Sequence, residues 1–366
     1  MPTLFYSPFY NFIMLNLWCD TIMEETVRQH RIQQWDNFIC ENSRAHILQL
    51  AAWGELKNAY GWKAERVVVE KDDVIVAGAQ LLFRRLPFRL GTMAYLPMGP
   101  YFVDDIDDAV SDQLWQEINK ISRKHNARFL KWEPGIYAND AALPDFAQLG
   151  FLRSPQMIQP PRTVLIDISG DEDEIMKSMN QGTRRKIRQS MKKGARYYQA
   201  NRDDVDKFNS IMQTTSTRNQ FGVHEAAYYE LAYELFVPEN AALFMAEHEN
   251  DVLAAIMVFA VGDTAWYLYG ASSDIKRNLM ASYGVQWKAI EWAKNRGCKY
   301  YDMWGVPDHE KGVLEEQFQS RSDGLWGVYG FKRGWGGAVI RSAGAWDKVY
   351  NPVLYKAYQL ALKLRR

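Results

Sequence analysis

The sequence predicts an α/β chain (α+β, mixed and mostly antiparallel sheets) built as two similar units in tandem. Three observations lead there. At 366 residues the chain exceeds what one ordinary hydrophobic core serves, so about two domains are expected. A β-meander, helix, strand order occurs twice along it. Between the two copies, the stretch 155–161 carries Pro155, Pro160 and Pro161 with no periodicity, and reads as a boundary.

The elements follow in order. Residues 35–60 place Phe38, Leu48, Leu50 and Leu56 on a rough 3.6 period, a helical signal. Residues 66–69 and 74–83 are rich in β-branched side chains and read as a strand pair turned at Lys71-Asp72-Asp73. An amphipathic helix is expected over 109–125 and a short strand over 129–133, ending at Pro134. Beyond the boundary come a strand at 163–168 and a helix at 175–193 stopped by Gly194. Helices at 203–219 and 226–236 precede a meander of 242–247, 252–261 and 264–271. A helix at 283–296, ended by Gly297, leads to a strand at 300–304. The expected division is an N-terminal extension (1–30), a first unit of 31–160 plus 338–366, and a second unit of 161–337.

Composition narrows the function classes. Hydrophobic residues make up 47% of the chain, so disorder is excluded. Lys+Arg and Asp+Glu both number 44, so only the distribution of charge says anything about partners. Cys19, Cys40 and Cys298 are odd in number and lack CxxC spacing, which fits a reducing compartment and no disulfide frame or zinc site. The 6 histidines form no HExxH-like pair, so no metal is expected; no cofactor is expected either. The apolar run 4–18 is short, contains Pro8 and has no preceding Lys or Arg, unlike a signal peptide or membrane span. A cytoplasmic location is expected, with peripheral contact at the inner membrane face.

The most informative segment is 266–306, WYLYGASSDIKRNLMASYGVQWKAIEWAKNRGCKYYDMWGV. A strand runs through a polar loop into a long helix, then Gly297 and a second strand. That order is similar to the cofactor core of GNAT acetyltransferases, where consecutive backbone N–H groups at the helix start cradle a pyrophosphate. Here Leu279, Met280 and Tyr283 bring side chains to the place where a phosphate needs bare backbone. An acyl donor other than coenzyme A is the better fit. The absence of a GxGxxG after any strand argues against a dinucleotide fold.

Several segments together carry a resemblance to the FemABX family of peptidoglycan peptidyltransferases, over about 35–355. They are HILQ (46–49) with WGELK (53–57), LPMGPY (96–101), TRRKIR (183–188) with KKG (192–194), RNQFGVHEAAYY (218–229), the segment quoted above, GFKRG (330–334) and WDKVYNPVLY (346–355). The resemblance implies two GNAT-like acyltransferase domains in tandem without a coiled-coil arm. It implies an aminoacyltransferase that moves Gly, Ala or Ser from aminoacyl-tRNA to a stem-peptide amine of a peptidoglycan precursor, nucleotide-linked or lipid-linked, to form the interpeptide bridge. It also implies roles by position. Lys332 is catalytic on the developing oxyanion, and Glu133 stands where some members carry an aspartate proposed as general base. Lys57 holds the precursor's diphosphate. Tyr267 lines the acceptor channel, with Tyr269 one pleat further along the same face. Arg218 is assigned to substrate binding. Glu225 and Met98 depart from the family pattern, since both stand where a cation is expected.

Residues 184–193 hold Arg184, Arg185, Lys186, Arg188, Lys192 and Lys193 with no acid among them, while Asp171-Glu172-Asp173-Glu174 sit at the N-terminal end of the same expected helix. Such a run is often only a solvated face. Here it is assigned to contact with tRNA or phosphate. Two other readings stay open: a coenzyme A-dependent GNAT N-acyltransferase, and a non-catalytic module that binds tRNA or precursor.

Overall fold

The computed structural model of the chain describes residues 26–87, 90–141, 143–219 and 222–364. Most of the expected N-terminal extension, including the apolar run 4–18, lies outside them. The single helix expected over 35–60 is two: α1 (26–41) and α2 (Ala51–Ala59), with a short 3₁₀ turn at Ile47–Gln49 between. Polar side chains break it. The Asn42 carboxamide oxygen accepts from Arg44 N, and the Asp36 carboxylate accepts from Ala51 N at 2.8 Å, starting the second helix.

β1 (Trp62–Lys71) and β2 (Val74–Arg85) pair antiparallel through Asp72 and Asp73, both left-handed at φ 50° and 63°, as a two-residue hairpin turn requires. β3 (Thr92–Pro97) and β4 (Tyr101–Phe102) each pair with β2. Helix α3 (Asp108–Lys124), capped by the Asp107 side chain, crosses over to β5 (Ala127–Glu133), which runs parallel to β3. β6 (Leu152–Arg153) lies at the far edge.

The second sheet repeats this plan. β7 (Arg162–Asp167) is followed by α4 (Glu172–Ser178) and α5 (Gln181–Lys192), where one helix was expected. Asn180 makes the break: its side chain caps α5 by accepting from Thr183 N at 2.7 Å. The acidic run therefore caps α4 alone, and the basic residues form a helix of their own. Then come β8 (Arg196–Gln199), α6 (Val205–Asn219), α7 (Ala226–Phe236) and the antiparallel meander β9 (Ala241–His248), β10 (Asp251–Val261) and β11 (Thr264–Ser272). Helix α8 (Ala281–Asn295) crosses to β12 (Tyr300–Val306), parallel to β11. Short helices α9 (Lys311–Gln317) and α10 (Trp326–Lys332) follow.

The tail of the chain joins the halves. β13 (Ala338–Arg341) pairs with β7 of the second sheet, whereas the expected division at 338 puts it with the first. The chain returns only at β14 (Trp346–Val349), which inserts between β5 and β6, and ends in α11 (Pro352–Lys363). A buried pair fixes that return: Lys131 on β5 reaches Asp347 on β14 at 2.9 Å, and Tyr355 donates to the same carboxylate at 2.8 Å. The strand orders are β1-β2-β3-β5-β14-β6 and β13-β7-β12-β11-β10-β9-β8.

One hydrophobic cluster runs from Trp35, Trp53 and Leu56 to Phe208, Tyr228, Phe236 and Phe259, so the halves share a continuous core. Among the described residues no helix is long and apolar enough to cross a membrane.

Candidate functional site

Lys332, the last residue of α10, is buried, and its ammonium donates to the carbonyls of Gly305 at 2.8 Å and Trp304 at 3.3 Å. Those carbonyls converge because β12 is bulged between Asp302 and Gly305, with Trp304 left-handed at φ 61°. A bulky residue in that region is strained and persists only where its surroundings impose it. Asp302 does so: its Oδ1 accepts from Trp304 N at 2.6 Å and from the Thr163 hydroxyl. Burial pushes the Lys332 ammonium down to about 7, with Asp302 opposing the shift. Burial likewise raises Asp302 to about 6, opposed by its bonds to Thr163 and Trp304 and by the Lys332 charge.

Two cavities lie near this pair, with Asp302 on the wall of the first. The first, about 380 Å³, lies between the two sheets, with Glu133, Arg162, Trp266, Asp302 and Trp304 on its walls. The second, about 540 Å³, lies between β11, the 276–283 loop, α8 and α10, with Tyr267, Arg277, Tyr283 and Phe331 on its walls. The carbonyls that hold Lys332 belong to residues of the first cavity, and its ammonium is 5.8 Å from the ring of Tyr267 in the second. Two carbonyls accept two of its N–H groups. The third has no hydrogen-bond partner among the described residues.

Tyr267 and Tyr269 do not share a face. Met257 pairs with Tyr269 and Val258 with Tyr267, so Leu268 is an extra residue and the alternation flips. Tyr267 packs with the α5–α8 side of the sheet, and Tyr269 with the α6–α7 side. Gly270 makes the flip possible, because a Cβ there would stand 2.3 Å from the Tyr267 ring.

On the opposite face, Tyr269 leads to Lys57. The Lys57 ammonium donates to Tyr228 Oη at 2.8 Å, and Tyr228 Oη lies 3.0 Å from Tyr269 Oη. Trp53 and Tyr228 rings flank the ammonium at 4.5 and 4.9 Å, and His224 stacks on Tyr228 at 3.6 Å. Burial lowers Lys57 to about 8, helped by the charge of Arg84.

Glu133 faces the first cavity with both oxygens engaged. Oε2 accepts from Tyr95 Oη at 2.6 Å and Gln159 N at 3.1 Å, and Oε1 accepts from Ile158 N. Glu133 thus straps the proline-rich 155–161 segment to the end of β5. Its carboxyl is raised by burial, opposed by these bonds.

The basic helix α5 lies against the loop that opens α8. Lys186 donates to Tyr283 Oη at 3.0 Å, and Lys193 to the Asn278 carbonyl at 2.6 Å. Arg184 bonds the Lys177 carbonyl, while Arg185, Arg188 and Lys192 are exposed and make no ion pair among the described residues. In the loop Leu279 is buried, and Tyr283 lies parallel to Trp335, 6.0 Å away. Gly334 brings the Lys332 segment against α5, since a Cβ there would sit 2.3 Å from Thr183 Oγ1. Arg218 falls near the end of α6, and its side chain lies outside the described residues.

Sequence reasoning passed over Asp302 and Tyr228. The signal for Asp302 was present: an acid inside the apolar strand YYDMWGV must be buried, and a buried acid needs a partner or a task. Tyr228 carried no such mark.

Two mixed sheets of one plan, with a buried lysine held by carbonyls of the first cavity's residues, define a tandem acyltransferase-fold protein. A tandem GNAT protein from the clavulanic acid biosynthesis pathway superposes with a TM-score of 0.50 at 12% identity, covering 87% of this chain and 94% of that one. The solved structure of FemX superposes with a TM-score of 0.79 at 22% identity, covering 89% of this chain and 98% of FemX. The FemAB family model matches residues 31–149, 146–251 and 244–363, and the chain belongs to that family. Its relatives include the lipid II:glycine glycyltransferase of Staphylococcus haemolyticus, 26% identical over 88% of this chain and 93% of that protein. The protein of the same name from Staphylococcus aureus is 25% identical, with 88% of this chain and 93% of that one covered.

Proposed function

We propose that the chain is an aminoacyltransferase of peptidoglycan assembly, moving Gly, Ala or Ser from aminoacyl-tRNA to a stem-peptide amine of a lipid-linked precursor. The observation that carries this reading is Lys332, a buried cation held by the carbonyls of two first-cavity residues, 5.8 Å from a tyrosine ring of the second cavity, with no third hydrogen-bond partner among the described residues. Membership of the FemAB family and the names of the staphylococcal relatives supply the reaction class and the precursor.

The ester enters by the second cavity, beside Tyr267 and the α5 helix, and the acceptor amine by the first. The amine attacks the ester carbonyl directly, because an ester is already activated. The third N–H of Lys332 meets the oxyanion, and a donor of this kind is worth about 3 kcal/mol. Arg185, Arg188 and Lys192 contact tRNA phosphates, while Lys57, held by Tyr228, receives the precursor's diphosphate. The donor tRNA places the reaction on the cytoplasmic side, with the precursor's lipid bringing the protein to the inner membrane face.

The test is incubation of the purified protein with mixed charged tRNAs and with nucleotide-linked or lipid-linked precursor, read by mass spectrometry. A mass gain of one amino acid residue on the lipid-linked precursor is expected. Turnover with acetyl-coenzyme A in place of charged tRNA overturns the donor assignment.

A further inference from the structure

We propose that Asp302, rather than Glu133, is the general base that takes the proton from the acceptor amine. The assignment rests on the acyl-transfer reading of the cleft and names the group that completes it. Both carboxylates reach the first cavity, but they are not equivalent. Glu133 spends both oxygens on Tyr95, Ile158 and Gln159. Asp302 spends only Oδ1, on Trp304 N and Thr163, and Oδ2 carries no hydrogen bond among the described residues.

Position separates them further. Asp302 anchors the bulge whose carbonyls hold Lys332, so the base and the oxyanion donor are fixed by one turn of backbone. Glu133 ends the other sheet's strand and fastens a linker. Lys332 from α10 and Thr163 from β7 act on Asp302 directly, and Arg44, His46, Glu133, Tyr137, Arg162 and Asp263 share the wall of its cavity. Burial holds the Tyr137 hydroxyl up and His46 down to about 3, so Lys332, lowered to about 7, is the neighbour that titrates near neutrality.

The step balances. The acceptor ammonium gives one proton to Asp302 Oδ2, and the freed lone pair forms the C–N bond to the ester carbonyl carbon. As the intermediate collapses, the C–O bond to the ribose breaks and the departing oxygen takes the proton from Asp302. The second nitrogen proton passes to Asp302 and then to water, leaving a neutral amide and a ribose hydroxyl.

Asp302→Asn is the decisive variant, because its amide oxygen still accepts from Trp304 and Thr163 and so keeps the bulge; a melting curve checks that it does. Binding of lipid-linked precursor in detergent micelles is measured with the stem-peptide amine free and acetylated, alongside single-turnover transfer from charged tRNA across pH. The wild type is expected to prefer the free amine, and Asp302→Asn to lose that preference. Transfer by the variant falls by about a hundredfold or more, and the acid limb of its pH profile disappears. Glu133→Gln keeps both the preference and the limb. Retention of both by Asp302→Asn overturns the assignment alone, and their loss in Glu133→Gln hands the role to Glu133. A wild type that binds neither precursor brings down the acyl-transfer reading and this one with it.

Discussion

Tyr267 and Tyr269, two residues apart on β11, stand on opposite faces of the second sheet because Leu268 is an extra residue in its pairing with β10. Each tyrosine is thereby turned toward a different lysine: Tyr267 toward Lys332, and Tyr269 through Tyr228 toward Lys57. The bulge thus links one strand to buried Lys332 and to half-buried Lys57.

Gly270→Ala tests that bulge. The added methyl would meet the Tyr267 ring at 2.3 Å, and the tyrosine cannot move without leaving the cavity wall. We expect a stability loss of about 1–3 kcal/mol, read by denaturant unfolding, together with a fall in transfer rate larger than any change in precursor binding.

Acid and base limbs of kcat/KM are expected close together. Asp302 must be ionised, giving an acid limb near 6, and Lys332 must be charged, giving a basic limb near 7, so the profile is a narrow bell. Thr163→Val removes a hydrogen bond that favours the Asp302 carboxylate, and the acid limb moves to higher pH. A limb that stays in place contradicts the assignment of that limb to Asp302.

The same pair shapes stability. Between pH 7 and 10.5 the unfolded Lys332 binds more protons than the folded one, so stability rises with pH there. Between 3.8 and 6 the folded Asp302 binds more, so stability falls as pH rises. A local dip between about pH 6 and 7 is expected in urea melts, and it disappears in the Asp302→Asn, Lys332→Met double variant.

Lys57→Ala is expected to raise KM for the precursor about tenfold with kcat nearly unchanged, as loss of a charge-assisted contact made equally in ground and transition states requires. Steady-state kinetics with varied precursor decides it. A fall in kcat alone would move Lys57 from binding to chemistry.

Arg185→Ala and Arg188→Ala are expected to weaken tRNA binding and to reduce the slope of log K against log salt by roughly one each. Fluorescence anisotropy at graded KCl measures it. Precursor affinity should not change, since neither residue lines either cavity.

Much of the scaffold was legible from periodicity. The hairpin at Asp72-Asp73, helix α7 at 226–236 and the meander before α8 follow directly from alternation, β-branching and turn residues, all of which act over a few neighbours. Helix ends held by single polar side chains were harder: Asn42 and Asn180 each cut a continuous apolar pattern in two. Strand β13 was misplaced because its few residues choose a sheet by hydrogen bonds to β7, more than 170 positions earlier.

The amino-acid order was enough to establish the doubled α/β plan and to mark Lys332 and Lys57 as cations worth assigning, whereas Leu279, expected where a phosphate would sit, is turned into the core. Folding in three dimensions settled which faces and partners those residues have. A one-residue bulge reverses every side chain beyond it, and no local pattern marks where the insertion falls. Nor does composition reveal that Asp302 leaves one oxygen without a hydrogen bond among the described residues while Glu133 leaves none. That difference depends on donors at Thr163, Tyr95 and Gln159, which distant stretches of backbone bring together.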